Sequence, residues 1–190
     1  MTGRGIIMAP PMALGARDGT KRVTRRLQAH WDKLRVGDTL YVRESLRENE
    51  RGVWTYRADG QVIEFEQGDE RVGPMVAWAH HQERGTCPGV HMPRWAARTI
   101  LRVTEPVRVE RLQVLTEDEA QAEGIEALDG WLDEKKIIAM ARSVRGMMED
   151  PRIWFAAYWD SLAPVGVRWQ DNPLVRRIAF ERAAPTAGAS

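Results

Sequence analysis

A single cysteine, Cys87, in 190 residues excludes an internal disulfide and agrees with a reducing compartment. Long apolar runs are missing too, and nothing approaches the roughly 20 residues that a membrane-spanning helix needs. Ile6-Ile7-Met8 is too short, and too soon broken by Pro10-Pro11, for the apolar core of a signal peptide. The expectation is a cytoplasmic location without a membrane partner. There is no glycine-rich phosphate loop, no Gly-x-Ser-x-Gly elbow and no internal repeat, which sets aside P-loop chemistry, the α/β-hydrolase nucleophile and repeat architectures. His80, His81, Cys87 and His91 lack the short repeated spacings of structural zinc sites, so neither a metal nor another cofactor is expected.

What is present is ordinary globular material: 29% charged and 43% hydrophobic residues, enough for one substantial core without calling for two independent domains. A net charge of +1 hides an asymmetry, since residues 1–45 hold nine Lys and Arg against four Asp and Glu. That polarity suits a nucleotide or nucleic-acid ligand at the N-terminal part, or a solvated surface poor in acids.

Along the chain, a short strand at Ile6 to Met8 leads to a helix begun by Pro10-Pro11 and stopped at Asp18-Gly19. Thr39 to Glu44 reads as a strand, and Val53 to Phe65 as a hairpin about Asp59-Gly60. The Gly and Pro punctuation of residues 67–96 predicts a long loop or lid. Strand character returns over Thr99 to Val109 with a break at Glu105-Pro106. Thr116-Glu117-Asp118-Glu119 predicts a capping box opening a short helix to Gly124. Further helices are expected over Trp131 to Met147 and from Asp150-Pro151, the latter with an apolar face of Phe155, Trp159 and Leu162. Leu174, Ile178 and Phe180 predict one inward face of a closing strand. This order favours an α+β fold, a small, mostly antiparallel barrel with appended helices.

Lys21 and Thr24 stand in a cationic cluster, Gly19-Thr20-Lys21-Arg22-Val23-Thr24-Arg25-Arg26. A desolvated lysine can ready a hydroxyl for attack, whereas a solvated one beside arginines is a phosphate contact. Residues three apart point to opposite faces of a regular strand, so the pair acts jointly only where the chain turns. Glu123, beside the glycine ending its helix, is a candidate third group. His91, Arg94 and Trp95 could touch substrate, or Trp95 could pack while Arg94 stays solvated. Of eight tryptophans, Trp154 and Trp159 read as packing, while Trp54, Trp78 and Trp95 could stack on a base.

The cluster from Gly19 to Arg26, Gly37-Asp38-Thr39-Leu40-Tyr41-Val42-Arg43-Glu44, His91-Met92-Pro93-Arg94-Trp95-Ala96, Val109-Glu110-Arg111-Leu112, Glu119-Ala120-Gln121-Ala122-Glu123-Gly124-Ile125 and Trp159-Asp160-Ser161 together resemble the ASCH domain family, relatives of the PUA fold, and especially its longer phage and prophage members. The resemblance implies a single PUA-like domain over residues 1–182, with an insertion at about 46–96, a helical extension at about 126–165 and a disordered tail at 183–190. Its best-defined chemistry is metal-independent hydrolysis of N(4)-acetylcytidine, and the catalytic lysine, threonine and glutamate fall on Lys21, Thr24 and Glu123. Met8, Arg26, Arg43, Glu44, His91, Arg94 and Trp95 are the expected substrate-binding residues of an amidohydrolase acting on a modified nucleoside. Other members resemble RNA-binding modules, some with ribonuclease activity, which keeps open a phosphate track over Arg22, Arg25, Arg26, Arg43 and Arg94. A docking role in phage assembly is a third reading.

Overall fold

Strands with alternating apolar residues and helices with marked ends account for most of the architecture. The computed structural model describes residues 3–65, 73 and 85–184. Its strands are β1 (Arg4–Ile7), β2 (Val23–Arg26), β3 (Thr39–Arg43), β4 (Leu46–Glu48), β5 (Trp54–Tyr56), β6 (Thr86–Cys87), β7 (Ile100–Val103), β8 (Arg108–Arg111) and β9 (Leu174–Arg182). The helices are α1 (Pro10–Asp18), α2 (Glu117–Ala122), α3 (Glu134–Val144) and α4 (Pro151–Leu162).

Six strands form a curled half-barrel in the order β1-β3-β7-β9-β2, with β8 pairing along β9. The β1–β3 pair is parallel and the others of this sheet are antiparallel. Leu40, Val42, Leu101 and Val103 point inward at alternate positions and are fully covered. β9 lies between β2 on one side and β7 and β8 on the other, and residues on both its faces are buried, from Val175 to Phe180 apart from Arg176. Leu174, expected on the inward face, is instead 48% exposed, because the strand begins beyond the core there. The sheet stops short of closure at its end strands β1 and β2. Arg26 on β2 spans that opening, donating from Nη2 to the Ile7 carbonyl at 2.8 Å.

The helix ends follow local chemistry. Pro10 and Pro11 open α1, and Gly19 closes it with a φ of 84° that a side chain rarely adopts. Thr116 caps α2 by accepting from the Glu119 amide at 3.2 Å, but the expected return bond from the Glu119 side chain is not made, because two arginines take its carboxylate (below). Asp133 and Asp150 cap α3 and α4 through the amides of Lys135 and Arg152. Helix α3 is shorter than the sequence predicts, since Trp131 precedes its cap and Arg145, at φ 53°, ends it.

The Glu105-Pro106 break separates β7 from β8. Within the insertion, β5, β4 and β6 make a separate three-stranded sheet over a second small core of Leu46, Trp54, Tyr56, Ile63, Cys87 and Met92. Val62 bridges Thr55 across the Asp59-Gly60 turn, though β5 pairs mainly with β4. The described part of the expected 67–96 loop holds β6 and two short 3-10 turns, Gly89–His91 and Arg94–Ala96. Trp78, His80 and His81 lie outside the described residues, as does the expected tail from residue 185 onward. No helix among the described residues is long and apolar enough to cross a membrane.

Candidate active site

The backbone around Lys21 is held between two helix ends. Its amide donates to the Gly15 carbonyl of α1 at 3.0 Å, and the Arg22 amide donates to the Ala122 carbonyl of α2 at 2.7 Å. Glycines flank the side chain: a methyl group on Gly124, whose φ is +80°, would stand 2.8 Å from Lys21 Cβ, and one on Gly15 would stand 3.3 Å from it. Lys21 therefore precedes β2 rather than belonging to it. That removes the opposite-face problem, and Lys21 and Thr24 line the same cleft.

Lys21 Nζ lies 2.6 Å from Glu123 Oε2 and 2.7 Å from the Glu123 carbonyl, with the two side chains only 3% and 4% exposed. The other carboxylate oxygen, Oε1, accepts from Arg25 Nη1 at 3.2 Å. Arg25, fully covered, also bonds Glu110 and Glu119, and Arg177 continues the chain from Glu119 to Glu105 at 2.8 and 2.9 Å. Glu123 is thus held from both sides, which leaves its carboxylate little rotational freedom. Burial lowers the Lys21 pKa from its ordinary value; Glu123 opposes that shift, and Arg26 and Arg25 add to it. Burial disfavours charge on the lysine, so Lys21 can stand as a free amine hydrogen-bonded to the carboxyl group.

These groups open onto a cleft of about 470 Å³ at the gap between β1 and β2, within the roughly 300–1,000 Å³ usual for small-molecule sites. Ile7, Met8 and Met12 form one wall, and Phe155, Tyr158, Trp159 and Leu162 of α4 form the other. Apolar walls around a few polar groups suit a flat, partly polar ligand. The Thr24 hydroxyl makes no hydrogen bond among the described residues, and Arg26 Nε is buried without a partner. A depression of about 540 Å³ between α3 and α4 contains none of Lys21, Thr24 and Glu123.

The structure gathers Lys21, Thr24, Glu123, Met8 and Arg26 into this cleft; Arg43, Glu44, His91, Arg94 and Trp95 do not line it. Arg43 donates to the carbonyls of Val90 and Met92. Glu44 is buried against Arg98, with both oxygens held at 2.8 Å, and does not pair with Arg43. Arg98 in turn covers the Tyr56 ring at 3.9 Å and binds Asp59 at 2.8 Å. Trp95 meets Phe65 edge-on at 6.3 Å, and Arg94 lies over Tyr41 at 5.7 Å. Trp54 is core, not a stacking surface. These residues anchor the insertion, whose own core draws them away from the barrel opening.

Cys87 is buried and His91 exposed, and no group of three or more His, Cys, Asp or Glu among the described residues is arranged to hold a metal ion. Sequence reasoning missed Tyr158 as a cleft residue and took Trp159 for packing alone. The spacing of Phe155, Tyr158, Trp159 and Leu162 at i, i+3, i+4 and i+7 was the available signal.

No family model and no curated protein matches the chain. Among solved structures, a crystal structure of an Enterococcus faecalis protein from the family DUF984 aligns with 100% of this chain and 86% of its own length, at a TM-score of 0.42 and 13% identity.

Proposed function

We propose that the cleft hydrolyses the amide of an N(4)-acylated cytidine or a related modified nucleoside, on a barrel of the PUA-like ASCH kind. One observation carries the reading: a buried Lys21–Glu123 pair opens on the same cleft as an unbonded threonine hydroxyl. Nucleophile, base and acid are then present as side chains.

The proposed cycle starts with Lys21 as the free amine and Glu123 as the acid, a neutral pair, and Lys21 takes the Thr24 hydroxyl proton as Oγ bonds the acyl carbon. Collapse of the tetrahedral intermediate breaks the bond to the exocyclic nitrogen, which receives the Glu123 proton and leaves as the free amine. The Glu123 carboxylate then takes a proton from water, whose oxygen adds to the acyl ester. Thr24 departs with the proton held by Lys21, and the neutral pair is restored. Holding Glu123 between Lys21 and Arg25 fits a group that must give and regain one proton in place.

A nucleic-acid track along Arg22, Arg25, Arg26, Arg43 and Arg94 fits less well. Arg25 is withdrawn among three carboxylates and Arg43 is bonded to backbone carbonyls. Hydrolysis of N(4)-acetylcytidine, followed by its ultraviolet absorbance, tests the reading: turnover by the parent and none by Thr24→Ala is expected. Silence from the parent, with RNA binding that weakens steeply with salt, would replace it by the track.

A further inference from the structure

The reaction above lacks a partner for the charge that grows on the acyl oxygen. Lys21 and Glu123 are occupied with each other, and Arg25 faces three carboxylates. Gln28 and Ser45 also line the cleft, but two donors stand beside the reacting groups on β2 and on the facing wall of α4. Arg26 spends Nη2 on the Ile7 carbonyl but keeps a buried, unpartnered Nε–H. The other is Tyr158 of α4, half-buried in the cleft wall, whose hydroxyl makes no hydrogen bond among the described residues. Its ring packs edge-on against Trp131, with centroids 5.8 Å apart, which narrows the sweep of the phenol.

We propose, building on the amide-hydrolysis reading, that the Tyr158 hydroxyl donates a hydrogen bond to the substrate's acyl oxygen and, with Arg26 Nε–H, forms the oxyanion site of this cleft. The two groups lie within each other's electrostatic reach, and the charged groups that act on the phenol are Arg26 and Glu123. Burial, with Glu123, holds the phenol well above its ordinary pKa although Arg26 pulls the other way. It therefore stays a neutral donor around neutral pH. A donor that needs no ionisation and loses no hydrogen bond on engagement strengthens as charge develops, which is the requirement for transition-state rather than ground-state binding. Because Tyr158 belongs to the helical segment after residue 126, that segment is part of the active site rather than a decoration of the barrel.

The test compares the parent with Tyr158→Phe on N(4)-acetylcytidine, with melting temperatures measured on both. The expected result is a fall in kcat of about 100-fold with KM changed by less than about threefold, an unchanged melting temperature and a pH–rate profile displaced downward without moving along the pH axis. A structural role would lower the melting temperature, and a proton-transfer role would shift a limb of the profile; either outcome overturns the assignment. A parent that turns over and a Tyr158→Phe variant that matches it removes Tyr158 alone and leaves the amide reading standing. A parent that does not turn over removes both.

Discussion

Lys21 Nζ and Glu123 Oε2 meet at 2.6 Å inside the protein although 102 residues separate them. Helix α2 brings them together by ending at Gly124 against the Lys21 side chain, and Arg25 holds the far oxygen of the same carboxylate.

Removing either reacting group should abolish turnover without unfolding the chain. Lys21→Met and Thr24→Val are each expected to lower kcat by at least about 100-fold. Lys21→Met removes one buried hydrogen bond from Glu123, which keeps its bond from Arg25, so it should cost about 1–3 kcal/mol. Steady-state kinetics beside urea denaturation check both parts, and full activity in either variant contradicts the assignment.

Arg25 should matter more for stability than any other arginine, since it alone joins Glu110, Glu119 and Glu123. Arg25→Met takes one partner from each of these carboxylates, although Glu119 keeps Arg177 and Glu123 keeps Lys21, and is expected to destabilise by about 3 kcal/mol. Arg25→Lys should recover only part of that, because a point charge cannot reproduce the guanidinium fork. Denaturant midpoints of the three proteins would show the order.

Gly124 combines a φ of +80° with a Cβ position 2.8 Å from Lys21 Cβ. Gly124→Ala should therefore cost about 1–3 kcal/mol and displace the lysine, lowering kcat as well. An alanine variant with parental melting temperature and rate would show that the glycine does not set the lysine's position.

The base must be unprotonated, so kcat/KM should rise with pH. Burial lowers the Lys21 pKa despite Glu123, so the midpoint of the rise should lie below 10.5, the ordinary lysine value. A pH–rate profile whose rising limb is centred at or above that value would contradict the burial argument.

Asp59 ties the insertion to α1 and Arg98. Burial raises its pKa, but the hydrogen bonds from Arg98, the Gln61 amide and Arg17 outweigh that and hold it at about 2 against an ordinary 3.8. A carboxylate with a depressed folded pKa stabilises fully above its unfolded value and loses that contribution as pH falls through the folded one. Asp59→Asn should thus cost about 2 kcal/mol at neutral pH and almost nothing near pH 2. Urea unfolding at several pH values checks this.

Much of this was legible in the chain before any coordinates. Pro10-Pro11, Gly19, Thr116, Gly124 and Asp150-Pro151 mark element ends because capping and glycine conformations are local, and Lys21, Thr24 and Glu123 could be nominated from their short motifs. Whether Lys21 and Thr24 face one way could not, since that depends on where β2 begins. Nor could the destinations of charged side chains: Glu119 leaves its capping role for Arg25 and Arg177, and Glu44 passes over adjacent Arg43 for Arg98. Local sequence governs caps, turns and periodicity, because those interactions close within a few residues. The partner of a buried charge and the wall of a cleft are settled by which surfaces pack, and the strand order β1-β3-β7-β9-β2 leaves its opening where α4 lays Tyr158 and Trp159 across it.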